Sequence, residues 1–281
     1  MNDSTFNALI SLLDDPDPHV YQQVEEQLFT LGASGIEKLE QAWEQCSTNQ
    51  IIQSRLEELI SRIQITSYTE QLMEWRKEGG NDLLEGWIIL TCCQYPTLNK
   101  QKYRNEVQRL VAKIWLQMDP RMNEIERLCV INKHFYTIER FTGNYQDPDK
   151  PDNIFLSHLI DTRQGNSLSL SALYLIVCQQ LDIPLQVVNF MGYYAIRCYR
   201  RNVHFYIDAY NQGMFFTPQQ VQEFLQKLNV ESNVSYYKPL SNIYVILNMV
   251  HTLISQYRTV GLEAKAQKFE QLLQDIEIKF D

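Results

Sequence analysis

The stretch Arg163–Gly213 reads RQGNSLSLSALYLIVCQQLDIPLQVVNFMGYYAIRCYRRNVHFYIDAYNQG, and its reading decides the fold. Gly165-Asn166-Ser167 is a loop that runs into a helix start. From about Leu168 to Leu181 the residues are almost wholly apolar, which predicts a buried helix. Asp182-Ile183-Pro184 ends it, because Pro184 has no N–H to donate and holds Ile183 in extended geometry. Three β-rich runs follow, Leu185–Phe190, Tyr193–Tyr199 and Val203–Asp208. With Tyr199–Asn202 as a turn, Cys198 faces Val203 and Tyr193 faces Asp208. Tyr193, Ala195 and Arg197 then share one sheet face with His204, Tyr206 and Asp208. Ile196, Val203, Phe205 and Ile207 form the apolar face. The expectation is a half-buried antiparallel sheet fed by a buried helix.

The rest of the chain is mainly helical in pattern. Phe6, Leu9, Ile10, Leu12 and Leu13 have helical spacing, and Asp14–Pro18 breaks it, with Asp17-Pro18 as the next cap. Val20, Val24, Leu28 and Leu31 mark a second helix that stops at Gly32. Ile36, Leu39 and Trp43 mark a third, and a fourth runs from about Ile51 to Ile63. The stretch from DPDPHV to QQVEEQLFTLG resembles a HEAT-like repeat, in which paired helices cover one another's apolar stripes. Residues 67–142 continue in helices. GNYQDPDKPDN, from Gly143, is the strongest turn signal, and Ile154–Thr162 is a short helix. After Gly213, a helix begins at Thr217-Pro218 and runs through Leu228, and residues 229–239 form a loop. Ile243–Gly261 and Leu262–Ile278 form a helix pair. The fold class is α+β, mainly helical.

Composition excludes several classes. At 281 residues with 44% hydrophobic side chains, the chain can bury a real core. No stretch of about 18 residues is free of polar groups, so no membrane span is expected. MNDSTFNALISLLDDPD lacks the basic start of a signal peptide. Six cysteines without a CxxC pair point to buried, reduced thiols and a cytoplasmic protein. The net charge is −9, and residues 1–65 hold eleven Asp/Glu against three Lys/Arg. Such a segment repels phosphate backbones, so nucleic acid is not an expected partner. His134, His158 and His251 are scattered singly, without metal-ligand spacing, and no cofactor is expected.

FTGNYQDPDKPDNIFLSHLIDTRQGNSLSLSALYLIVCQQLDIPLQVVNF, with the later IDAYNQG, resembles the transglutaminase-like domain of the bacterial SirB-type family. The resemblance covers about residues 125–275. It implies a papain/transglutaminase-like core with a small antiparallel sheet, followed by a tetratricopeptide-like helix pair. The segments expected are a helical repeat-like region at 1–120, the core at 121–238 and the helix pair at 239–281.

The wider superfamily uses a Cys–His–Asp triad: a thiolate at a helix N-terminus, an imidazole on one strand and a carboxylate on the next. By this resemblance the three positions fall on Ser167, Tyr193 and Asp208. Met191 replaces the proline of the family's P-x-H-F motif, and Ala209 stands where proline more often follows the aspartate. Only the aspartate is of the required type. Ser167 also has a plain reading, as a helix N-cap, and Tyr193 as a strand tyrosine bonded to Asp208. Cys178 is expected in the core, and Cys198 and His204 on opposite faces. The expectation is a catalytically inactive module that binds a protein or small ligand through Ser167, Tyr193, Asp208, Asn166 and Tyr206. The alternative is a hydrolase or acyl transferase that uses Ser167 or another site.

Overall fold

Asn2 and Asp17 start the first two helices, each accepting a backbone N–H through its side chain (2.8 and 2.9 Å). In the computed structural model, which describes residues 1–200, 203–227 and 234–278, helices α1 (Asp3–Ser11), α2 (Pro18–Phe29) and α3 (Ile36–Gln45) follow in order. Gly32, at φ 59°, lets the chain turn out of α2. Asn49 accepts the N–H groups of Ile51 and Ile52 at the start of α4 (Gln50–Lys77). This helix continues well past Ile63, where the sequence suggested a stop. Thr66, Ser67 and Thr69 are tolerated mid-helix, and Thr66 and Thr69 bond back to carbonyls four residues earlier.

The chain divides into two units, Met1–Glu74 and Trp75–Asp281. The first has its own core, in which Phe6, Leu13, Leu28, Leu39, Leu56 and Leu59 are buried together. Residues 1–74 contain no strand.

In the second unit come α5 (Leu83–Gln94), α6 (Lys100–Trp115) and α7 (Glu124–Asn132), which runs into a π-helical turn at Lys133–Ile138. Strand β1 (Thr142–Gly143) pairs in parallel with β2 (Gln164–Gly165), on either side of α8 (Leu156–Thr162). This two-stranded ladder has no hydrophobic alternation to announce it. The loop between β1 and α8 is built from side chains. Asn144 Nδ2 donates to Asn153 Oδ1 (3.0 Å), and Asn153 Nδ2 donates to Asp147 O (2.8 Å). Residues Pro151–Ile154 form a 3-10 turn, so α8 begins at Leu156 and not at Ile154.

Helix α9 (Ser167–Gln180) is the centre of this unit, with every residue from Leu168 to Cys178 buried. It packs against α5, α6, α8 and the sheet. The sheet runs β3 (Gln186–Phe190), β4 (Tyr193–Arg200), β5 (Val203–Asp208), β6 (Met214–Phe216), all antiparallel in that order. Met191 and Gly192 make the β3–β4 turn at φ 57° and 91°, which starts β4 at Tyr193. Sequence patterning missed β6.

Two expectations about the sheet need correction. The hairpin register is shifted by two residues: Arg197 faces Tyr206 and Arg200 faces Val203, so Tyr193 does not sit directly opposite Asp208. Because the slip is even, face assignments survive. The remainder of the expected turn, Arg201 and Asn202, lies outside the described residues. At β3 and most of β4 the sheet is also covered on both faces and not half-buried, while Tyr199, Met214 and Phe215 stay exposed. Val188, Phe190, Ala195 and Tyr206 form a core with Val221 and Leu225 of α10 (Pro218–Lys227). The expected end of that helix at Leu228 and residues 229–233 of the loop after it lie outside the described residues. Helices α11 (Asn242–Thr259) and α12 (Glu263–Ile278) close the chain as a packed pair turned at Gly261, φ 75°. Helix α11 also packs against α5 and α9. No helix among the described residues is long and apolar enough to cross a membrane.

Candidate functional site

The start of α9 is fixed by a reciprocal cap. Asn166 Oδ1 accepts the Ser169 N–H (2.9 Å), and Ser169 Oγ accepts the Asn166 N–H (3.0 Å). The cap is therefore Asn166, and Ser167 is the first helical residue, which corrects the N-cap reading of Ser167. Asn wins because its carboxamide reaches the third helical position, Ser169, from an extended backbone. Ser167 is left free for other contacts, and its Oγ accepts the backbone N–H of Tyr194 on β4 (3.3 Å). Ser171, one turn on, donates to Tyr194 O (3.4 Å). Thus the helix start and the start of β4 are tied together.

Tyr193 Oη donates to Asp208 Oδ1 at 2.6 Å. The same oxygen accepts the N–H groups of Tyr210 and Asn211 (3.1 Å each). Asn211 Nδ2 completes the cluster by donating to Asp208 Oδ2 (2.8 Å) and to Tyr193 Oη (3.0 Å). The IDAYNQG motif thereby acquires a structural meaning. Asp208 caps a turn that ends at Gly213, whose φ is 71° and whose added Cβ would lie 2.5 Å from Asn132 Oδ1. Tyr210 lies against Gly143, where a Cβ would meet its ring at 2.6 Å. Tyr145 Oη donates to Tyr210 O (2.8 Å), Tyr136 Oη to Ala209 O (3.2 Å) and Asn132 Nδ2 to Gly213 O (2.9 Å).

Two cavities meet at Tyr193. One, of about 280 Å³, is lined by Ser167, Asn166, Tyr193, Tyr194, Tyr210 and Gln256, among others. The other, of about 320 Å³, is mostly apolar and lies between β6 and α10, with Phe190, Met214, Phe216 and Phe224 beside Tyr193 and Asp208. Of the five residues expected at the site, Asn166, Ser167 and Tyr193 share the first cavity, and Asp208 reaches it through Tyr193. Tyr206 lines neither cavity. It is buried under α10 and bonded to His204 Nε2 (3.2 Å). Asn211, Thr252, Gln256 and Asp149 were not picked out from sequence. Asn211 belongs to the IDAYNQG motif. Gln256 stands between apolar stripe positions of α11, and no local signal marks it.

Electrostatics disfavour acid–base chemistry here. Burial, and then the hydrogen bond to Asp208, push the Tyr193 phenol far above its ordinary value. At neutral pH it is a neutral hydroxyl with its proton committed to Asp208, and so cannot take one from Ser167. Among the described residues, no histidine, cysteine, lysine or arginine lines either cavity. Burial pushes the Cys93 thiol up to about 12 and Cys198 up to about 11, and it raises Cys178 well above its ordinary value, so these thiols are un-ionised at neutral pH. Among the described residues no three His, Cys, Asp or Glu side chains are grouped so as to hold a metal ion.

A buried helix whose N-terminus abuts an antiparallel sheet, with an aspartate on the strand beyond the contact, is the arrangement of the transglutaminase-like class. Residues 101–251 match the family model of the Transglutaminase-like superfamily, and the chain belongs to that superfamily. It is similar to a UPF0162 protein of Xylella fastidiosa (strain Temecula1), 23% identical over 141 residues, half of each chain. A UPF0162 protein of Haemophilus influenzae is 23% identical over 125 residues, 44% of this chain and 46% of that one. F-box only protein 21 of Mus musculus is 28% identical over 148 residues, 50% of this chain and 23% of that one. The chain thus spans about half the length of the UPF0162 proteins it matches, and less of the F-box protein. No solved structure matches it.

Proposed function

We propose that this chain is a transglutaminase-like domain of the SirB-type branch that performs no acyl transfer and acts by binding a protein or a small ligand. The observation that carries this reading is the Tyr193 hydroxyl. It stands where the class keeps its imidazole, donates to Asp208 at 2.6 Å and accepts from Asn211 at 3.0 Å. Ser167 has a hydroxyl in place of a thiol and no base beside it. Helices α11 and α12 serve on this reading as one tetratricopeptide-like unit, too short for a peptide groove and suited to packing on the core. Six free cysteines accord with a cytoplasmic home. The acidic residues 1–65 favour partners other than nucleic acid.

The test is a turnover screen of wild-type protein on ester, thioester and amide substrates, joined to alkylation of three variants. Ser167→Cys alone gives a slowly alkylated thiol. Adding Tyr193→His speeds reaction with iodoacetamide at pH 7, because an imidazolium beside a helix N-terminus favours the thiolate. Adding Asp208→Asn reverses part of that gain by releasing the ring. Turnover by wild type that Ser167→Ala abolishes overturns the reading.

A further inference from the structure

The buried stripe of α6 is Tyr103, Val107, Leu110 and Ile114, at helical spacing. Trp115 and Leu116 follow it directly and stand outside that stripe, at 65% and 71% exposure. Packing of the helix does not require apolar side chains there, and apolar groups gathered at a surface mark sites of interaction. With Met118, Pro120 and Leu181, the residue that caps the end of α9, they line a groove of about 450 Å³. The groove lies wholly within the second unit and shares no lining residue with the two cavities at Tyr193.

Among the described residues, the one cationic side chain that lines this groove is Arg127 of α7. It is half-buried, and its Nε is buried without a hydrogen-bond partner. Its guanidinium makes no hydrogen bond and no ion pair with any described residue. The carboxylates nearest to it in sequence are committed elsewhere. Asp119, which also lines the groove, accepts Arg121 Nε (2.9 Å) and Nη2 (2.7 Å). Glu124 faces Arg200 at 3.8 Å, and Glu126 accepts the Asn123 N–H at 2.7 Å. A half-buried guanidinium has less water around it than an exposed one and attracts a carboxylate more strongly, and its planar fork matches the two oxygens.

We infer that this groove docks an acidic amphipathic segment of a partner protein, with an Asp or Glu on Arg127 and a neighbouring apolar side chain on Trp115 and Leu116. Charge complementarity decides the chemistry of the occupant, because the groove offers a cation without its own carboxylate between apolar walls. Trp and Arg are also the side chains that dominate the centres of protein interfaces. The exposure of Trp115 and Leu116 leaves the groove open-sided, whereas a small-molecule pocket encloses about 70–90% of its ligand. A chain segment held by residues on both sides of its acid does not need that enclosure. This surface is separate from the site at Ser167, and its test is independent of whether that site binds or reacts.

The experiment is selection of a random peptide display library on the full chain, with the Arg127→Gln and Trp115→Ser variants in parallel. The peptides enriched on wild type carry Asp or Glu close to an apolar side chain, and both variants lose them. A synthetic peptide from the selection binds about tenfold more weakly when its acid is changed to the amide, and Arg127→Gln abolishes that difference. The acid-to-amide comparison uses wild-type protein alone, so it decides the question even if a variant does not fold. Absence of enrichment, enriched peptides that lack an acid, or an acid preference that survives Arg127→Gln overturns the inference. Phenylacetate that binds as tightly as the peptide also overturns it and gives the groove to a small carboxylic acid. Self-association of the full chain that Arg127→Gln abolishes overturns it too, by giving the groove to a second copy.

Discussion

Leu28, Leu39, Leu56 and Leu59 in the first unit are buried in one apolar cluster. Helical spacing within one segment picks out Leu28 and Leu39. The turn Asp208–Gly213 in the second unit is held differently. Asn132, Tyr136 and Tyr145 reach it from 81, 73 and 65 residues earlier in the chain, through side-chain hydrogen bonds. Apolar burial is non-directional and roughly additive in area, so one face of a helix suffices to announce it. A polar hub depends on partners that only the tertiary fold supplies.

Truncating the apolar cluster has the largest effect. Leu28→Ala removes a fully buried side chain and leaves a cavity, at a cost of about 2–5 kcal/mol. Denaturant midpoints of the full chain measure it. A cost under about 1 kcal/mol means that the helices collapse onto the gap, and the contrast with the turn weakens.

The turn comes next. Asp208→Ala leaves the Tyr193 hydroxyl and the amides of Tyr210 and Asn211 without their acceptor. Asp208 is half-buried, so water recovers part of the loss and the cost is about 2–3 kcal/mol. Asp208→Asn keeps Oδ1 but sets an amide against Asn211 Nδ2, for about 1 kcal/mol. Equal costs for the two variants would show that charge, and not acceptor geometry, holds the turn.

Smaller again is Asn132→Ala, which removes a donor to Gly213 O and the acceptor of Tyr174 Oη (2.9 Å). About 1–2 kcal/mol is expected, with hydrogen exchange rising first in the turn.

The same contrast sets how much the sequence discloses. The buried faces of α9, α11 and α12 follow from spacing, as Leu253, Tyr257, Phe269 and Leu272 show. Leu12 carried the same apolar signal, yet it is exposed at the end of α1, while the adjacent Leu13 is buried. The strands β3, β4 and β5 were legible from β-rich runs. Their register was not, because a two-residue slip leaves every face assignment intact and so leaves no trace in the alternation. At the site, family resemblance pointed to Ser167, Tyr193 and Asp208, and the structure bonds Tyr193 to Asp208 and Ser167 to the neighbouring Tyr194. The cap was misplaced because Asn166 and Ser167 are adjacent and both are capping types. Gln256 was invisible, since a glutamine on a helix is normally solvated, and only the tertiary packing of α11 buries it.

The most specific effect comes from a single hydroxyl. Tyr193→Phe keeps the ring and removes the hydroxyl that joins Asp208 to Asn211. At neutral pH it costs about 1–2 kcal/mol, the value of one hydrogen bond to a carboxylate. Its pH dependence separates this bond from simple packing. Burial and Asp208 raise the folded-state value of Tyr193 above that of an unfolded tyrosine, about 10. The folded state therefore keeps its proton where the unfolded chain gives it up. The stabilisation is fully present below about pH 10 and is lost as pH rises toward the folded value. The slope has an upper limit of about 1.4 kcal/mol per pH unit, reduced by the water that reaches the ring. Tyr136 and Tyr174, raised by burial, make wild type fall in the same range, so the informative quantity is the difference between the two proteins. Urea midpoints at pH 7, 9 and above 10 should show the Tyr193→Phe deficit constant at first and then shrinking. A deficit that stays constant through the alkaline range would mean that Tyr193 ionises alike in both states, and the hydroxyl would then be no tighter a partner of Asp208 than water is.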